Sequence, residues 1–225
     1  MKTLIIHGDD TFESYRFLTD LFKKTKKKKW QIIYIDINKD TSVSESIIQD
    51  SLFDQKRLYV LRNYKSLGKN DLKWIKEKLS DIDGYLVIYY EGKIASQFIK
   101  SISGDKKERL FELPVIVFKF LESFYTGNSK ETLNLLYKLK TNKPVEFMFA
   151  MLARYLKDLY WVSIDPSSIP YASWRVSKLE KQSKRFDSGK IENIIKRLSD
   201  LDIKVKTSKE NLEESLDLLI LQELE

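Results

Sequence analysis

Between Thr3 and about Leu113, short β-branched or aromatic runs alternate with amphipathic stretches. The runs are Thr3 to His7, Gln31 to Ile35, Leu58 to Leu61 and Tyr85 to Tyr90, with a weaker one at Arg109 to Leu113. Candidate helices fill the intervals at about 12–28, 43–52, 69–80 and 93–102. An uninterrupted apolar run such as Tyr85 to Tyr90 suits a strand buried on both faces, and strands alternating with helices predict an α/β region with a mostly parallel sheet.

After Pro114 the period changes. Apolar residues recur at spacings of three and four, as in Met148, Met151, Leu152, Tyr155 and Leu159, or Ile191, Ile194, Ile195, Leu198 and Leu201, or Leu212, Leu216, Leu219 and Ile220. This part of the chain is expected to be all-α. Gly127 and Asn128 are placed to end one helix and cap the next, Pro144 to sit in a helix's first turn, and Asp165 to Pro170 to form a loop. The boundary falls at Leu113 and Pro114, so residues 1–113 are expected as one domain and 114–225 as a second.

A length of 225 residues fits one large or two small domains. Cysteine is absent and histidine occurs once, which excludes disulfide scaffolds, thiol nucleophiles, zinc ribbons and iron–sulfur clusters. The first residues lack the apolar core of a secretory signal, and no apolar stretch approaches the roughly 18 residues of a membrane span, so a cytoplasmic location without membrane association is expected. A net charge of +7 favours a polyanionic partner, either nucleic acid or an acidic protein surface.

The turn after the first run, Gly8-Asp-Asp-Thr-Phe-Glu-Ser14, sits where a nucleotide-binding α/β protein carries its phosphate loop. It has one glycine, no Lys-Ser/Thr pair and two aspartates, whereas a phosphate loop needs several backbone N–H groups and a lysine aimed at the phosphates. ATP hydrolysis is therefore not expected. Asp9, Asp10 and Glu13 could hold a divalent ion for a phosphoesterase or nuclease, but helix capping by an aspartate and a favourable Glu13–dipole contact account for them more simply. His7 has no second soft ligand and is read as a strand-end residue.

Residues 23–29 hold six lysines in seven positions, which reads as a solvated helix terminus more readily than as a phosphate contact. On a helix near 173–186, Arg175, Lys178, Lys181 and Lys184 or Arg185 recur every third residue and align as a basic stripe that could contact nucleic-acid phosphates. Leu52 and Phe53 end a short helix. Adjacent apolar residues cannot both point into one core, so one of them is a candidate exposed anchor, although core burial is the simpler account.

Several segments, in order, resemble the delta subunit of bacterial DNA polymerase III, the clamp-opening member of the clamp loader. Leu4 to Asp10, Ser51-Leu-Phe-Asp-Gln-Lys-Arg-Leu-Tyr-Val-Leu-Arg-Asn63 and Gly84-Tyr-Leu-Val-Ile-Tyr-Tyr-Glu-Gly92 resemble that family's N-terminal domain. Phe118 to Asn128, Pro144 to Asp158 and Lys178 to Thr207 resemble its helical collar domain. The resemblance implies a degenerate AAA+-like domain that binds no nucleotide cofactor and performs no catalysis, with Leu52 and Phe53 as exposed clamp-binding residues. It also implies a role in opening the sliding clamp for loading onto primed DNA, with the clamp, ATP-hydrolysing loader subunits and DNA as partners. One departure stands out: family members carry a small helical lid between the two domains, and here the collar-like segment begins almost directly after Leu113. A metal-dependent phosphoesterase and a basic nucleic-acid adaptor are the competing readings.

Overall fold

The computed structural model of the chain describes residues 1–35, 42–48 and 56–225. It divides into two compact units, Met1–Leu113 and Pro114–Glu225. The first is an α/β unit: β1 Lys2–Gly8, α1 Thr11–Lys27, β2 Gln31–Ile35, α2 Val43–Ile48, β3 Arg57–Arg62, α3 Lys69–Glu77, β4 Tyr85–Glu91, α4 Ser96–Ser101 and β5 Lys106–Leu110. Short 3₁₀ turns at Tyr64–Ser66 and Leu79–Asp81 flank α3. The sheet has the order β2-β3-β4-β1-β5, and every pairing between these strands is parallel.

Parallel strands joined by helical crossovers are covered on both faces, and the residues divide accordingly. Ile5, Ile35, Leu61, Leu86 and Ile88 pack with Val43 and Ile47 of α2, Ile75 of α3 and Phe98 of α4. The alternate residues Ile6, Leu58, Val60, Val87 and Tyr89 face Leu18, Phe17 and Leu21 of α1. Full burial of one such side chain contributes about 1.5–3 kcal/mol. Because the period along each strand is two, a one-residue slip of β4 would bring Val87 to the opposite layer.

Three expected elements end elsewhere. The last strand lies at Lys106–Leu110, not at Arg109–Leu113, and all five of its residues are exposed. As an edge strand held only by β1, it needs no apolar run. The helix expected over 69–80 stops at Glu77 and continues as a 3₁₀ turn, and the one expected over 93–102 is limited to Ser96–Ser101.

The second unit consists of α5 Val115–Ser123, α6 Ser129–Lys140, α7 Val145–Ile164, α8 Ser173–Ser183, α9 Lys190–Lys206 and α10 Leu212–Leu224. No strand occurs in it. Helix α7 is the axis of the packing: Met148, Leu152, Leu156, Leu159 and Val162, at most 2% exposed, recur at three and four and meet the apolar faces of the other helices. Asn128 precedes α6 but does not cap it, because its side chain turns back and donates to the Ser123 carbonyl at 2.8 Å. Among the described residues, no helix is long and apolar enough to cross a membrane.

Candidate functional site

Two places carry the residues of interest, one in each unit. The first is the turn between β1 and α1. Gly8 has φ +131°, and a Cβ there would lie 2.0 Å from the Phe111 carbonyl oxygen. Two backbone bonds tie the turn to the segment after β5, and a third ties it to the residue after β4. Asp10 donates to the Phe111 carbonyl at 3.0 Å, Phe111 donates to the His7 carbonyl at 2.8 Å, and Gly8 donates to the Gly92 carbonyl at 2.9 Å. Two of the turn's backbone N–H groups, those of Gly8 and Asp10, are thus engaged by the chain's own carbonyls and are not directed at an anion.

The acidic side chains of this turn also serve the fold. Asp10 is buried, and its Oδ1 accepts from the Glu13 N–H at 3.1 Å, the helix-capping role expected of either Asp9 or Asp10. Glu13 pairs with Arg16 at 2.6 Å, while Asp9 is exposed. Among the described residues, no group of three His, Asp or Glu side chains is arranged to hold a metal ion. His7 is buried, accepts from the Ile94 N–H at Nδ1 (3.0 Å) and contacts Glu108 through Nε2 (2.9 Å). The Ile94 bond assigns the ring proton to Nε2 when the ring is neutral, and the two contacts pin both neighbouring segments to the end of β1.

The second place is α8 and the groove beside it. Arg175, Lys178 and Lys181 lie on this helix, Lys184 directly follows it, and all four are exposed. The row is half neutralised. Arg175 lies 3.3 Å from Oδ2 of Asp158 and stacks over Tyr171, with its guanidinium carbon 3.8 Å from the ring centre. Lys178 pairs with Glu122 at 2.5 Å. Lys181 and Lys184 have no ion pair among the described residues.

Asp158 is the residue that patterning misses. It sits on α7 at 2% exposure, accepts from the Tyr171 hydroxyl at 3.0 Å through Oδ2, and leaves Oδ1 without a hydrogen-bond partner. Burial, followed by the bond to Asp158, raises the Tyr171 hydroxyl above its ordinary pKa. The neighbouring Tyr155 hydroxyl is pushed further up, mainly by burial and then by Glu122. Asp158, Arg175 and Lys178 line a groove of about 490 Å³ whose apolar wall includes the well-exposed Val115, Phe118 and Trp174. A lone carboxylate on an otherwise apolar helix face is the signal that could have pointed here. Leu52 and Phe53 lie outside the described residues.

No protein-family model and no curated protein matches the sequence. Among solved structures, the DNA clamp loader delta protein of Bacillus subtilis aligns over 99% of this chain and 95% of its own, at 14% identity and a TM-score of 0.47. A DNA polymerase III gamma subunit-related protein from Thermotoga maritima aligns over 99% and 93%, at 12% identity and a TM-score of 0.35. A structure of Drosophila ORC bound to AT-rich DNA and Cdc6 aligns over 88% of this chain and 45% of that one, at 9% identity and a TM-score of 0.35. All three scores fall below 0.5, so superposition assigns no family.

Proposed function

We propose that this chain is a non-catalytic, clamp-loader-type subunit. Its α/β unit binds and opens a sliding DNA clamp, and its helical unit assembles with ATP-hydrolysing loader subunits near primed DNA. The observation that carries the reading is the turn after β1. In a parallel α/β unit followed by a helical unit, the Phe111 backbone passes against Gly8 in the turn after the first strand, and the N–H groups of Gly8 and Asp10 are bonded to the Gly92 and Phe111 carbonyls. Such a unit is suited to gripping a partner rather than to turning over ATP. The ordered sequence resemblance supplies the partner, and Leu52 and Phe53 are the residues proposed to enter it. A wedge of this kind opens a clamp only through its higher affinity for the open interface than for the closed one.

The test is binding to the immobilised sliding clamp of the same organism by surface plasmon resonance. Replacing Leu52 and Phe53 together by Ala is expected to weaken binding by about 2–4 kcal/mol, as for buried hydrophobic anchors, with the melting curve almost unchanged. A loss of about 2–5 kcal/mol of folding stability per residue would instead place them in the core. No binding by the unaltered chain would remove the clamp reading altogether.

A further inference from the structure

The lysine run at residues 23–29 acquires a context that its sequence does not show. Lys23, Lys24, Lys26 and Lys27 are exposed on the last turns of α1, while Thr25 between them is buried and bonds the Leu21 carbonyl at 2.8 Å. The chain then folds tightly back, with Lys28 and Trp30 both donating to the Thr25 carbonyl at 3.1 and 3.3 Å. Lys29 takes a left-handed conformation at φ +58°. Glycine would adopt it without strain, and a lysine there adds an ammonium group at some backbone cost.

Lys23 lies 3.7 Å from Asp20, but Lys24, Lys26, Lys27, Lys28 and Lys29 form no ion pair with any described carboxylate. Beside them Trp30 stacks against Tyr85, with ring centres 4.7 Å apart. Trp30 also gathers cations from two chain segments: Lys28 Nζ lies 5.8 Å from its ring centre and Lys56 Nζ, at the start of β3, lies 5.9 Å away. Trp30 precedes β2 and Tyr85 begins β4, so the cluster occupies the N-terminal edge of the parallel sheet, opposite the turn after β1.

We propose that this edge is a second binding surface, one that takes the phosphate backbone of nucleic acid. Five ammonium groups in six consecutive positions, none paired with a described carboxylate, reinforce one another's potential at low salt, where the Debye length reaches about 10 Å or more. Together they exceed the roughly half negative charge of the α1 C-terminus. The chemistry favours nucleic acid over an acidic protein or a membrane. A tight protein interface is built around desolvated apolar anchors, and a basic surface binds anionic lipid by charge alone unless aromatic side chains also insert. Here the two large aromatic side chains are stacked on each other, whereas a phosphate backbone needs only the cations. The surface is independent of the clamp reading, and a chain that failed to bind the clamp would still bind here.

The experiment is fluorescence anisotropy of the full chain with labelled (dT)20 between 25 and 300 mM NaCl, alongside a duplex of mixed sequence and phosphatidylserine-containing vesicles. Replacing Lys24, Lys26, Lys27 and Lys28 by Ala is expected to weaken (dT)20 binding at 50 mM salt at least tenfold. It should also flatten the salt slope by about 0.7 for each phosphate contact removed. The same four positions changed to Arg should retain binding, which separates lost charge from lost fold. Lys181 and Lys184 changed to Ala should weaken it less than threefold. The proposal is overturned if the unaltered chain does not bind (dT)20 at 25 mM salt, or if the alanine variant binds as well as the unaltered chain. Tighter binding to the vesicles that (dT)20 cannot displace would overturn it as well.

Discussion

Gly8→Ala isolates the closed turn that underlies the proposed function. The new Cβ would meet the Phe111 carbonyl oxygen at 2.0 Å, with the Phe111 carbon and nitrogen at 2.6 and 2.7 Å. All three are backbone atoms, so no rotamer change relieves the clash. Holding an L-residue at φ +131° adds roughly 1–3 kcal/mol of strain. Moving Phe111 away breaks its reciprocal bonds with Asp10 and His7, at about 1 kcal/mol each. The expected loss is therefore about 3–5 kcal/mol. Gly127→Ala is the matched control, because Gly127 has φ +85° but no neighbour within 4 Å of a built Cβ, leaving strain of about 1–2 kcal/mol alone. A chain with two compact units need not unfold in one step, so the readout is native-state hydrogen exchange of the Ile5 and Ile6 amides for Gly8→Ala and of the α6 and α10 amides for the control. If Gly8→Ala lowers protection by no more than the control, the close passage of Phe111 does not hold this turn.

Two further outcomes follow from the same geometry. Calorimetric titration of the full chain with Mg-ATP should show no micromolar binding, since the N–H groups of Gly8 and Asp10 are engaged by Gly92 and Phe111; a micromolar dissociation constant would overturn the closed-turn account. Asp158→Ala should lower native-state hydrogen-exchange protection of the α7 amides by about 1–2 kcal/mol, less than the 3–5 kcal/mol of a fully buried broken pair, because the Arg175 side chain is 46% exposed and water takes over its solvation. A loss above about 3 kcal/mol would mean that Arg175 and the Tyr171 hydroxyl are both left without a replacement partner and would refute the solvation argument.

The parts of the fold legible in the sequence were those whose burial repeats along the chain. Tyr85 to Tyr90 reads as a strand because β4 lies between β3 and β1, with both its faces covered. The apolar face of α7 reads as a helix for the corresponding reason. Strand β5 was placed three residues late because its own residues, Lys106 to Leu110, carry a single apolar side chain at their end, followed by the apolar signal of Phe111 just beyond it. That signal has a different source: Phe111 packs against Phe17 of α1 at 5.5 Å between ring centres, and its backbone closes the β1 turn. That an aspartate caps α1 was readable from local spacing; which of Asp9 and Asp10 does so, and the close passage of a segment a hundred residues later, were not.

The two basic rows show the same limit acting on function. Arg175, Lys178, Lys181 and Lys184 look like the better phosphate stripe because their spacing aligns them on a helix, whereas the run at 23–29 looks like a solvated end. Folding reverses the comparison. Asp158, 17 residues from Arg175, and Glu122, 56 residues from Lys178, neutralise half of the first row. Five of the six lysines in the second row meet no described carboxylate, beside an aromatic pair assembled from the starts of two strands. A cation's capacity to meet an incoming phosphate depends on whether a carboxylate already holds it, and in this chain the deciding carboxylates come from distant helices. Spacing along one helix therefore finds rows of charge, and only the packing of other elements against that helix decides which row remains available to a ligand.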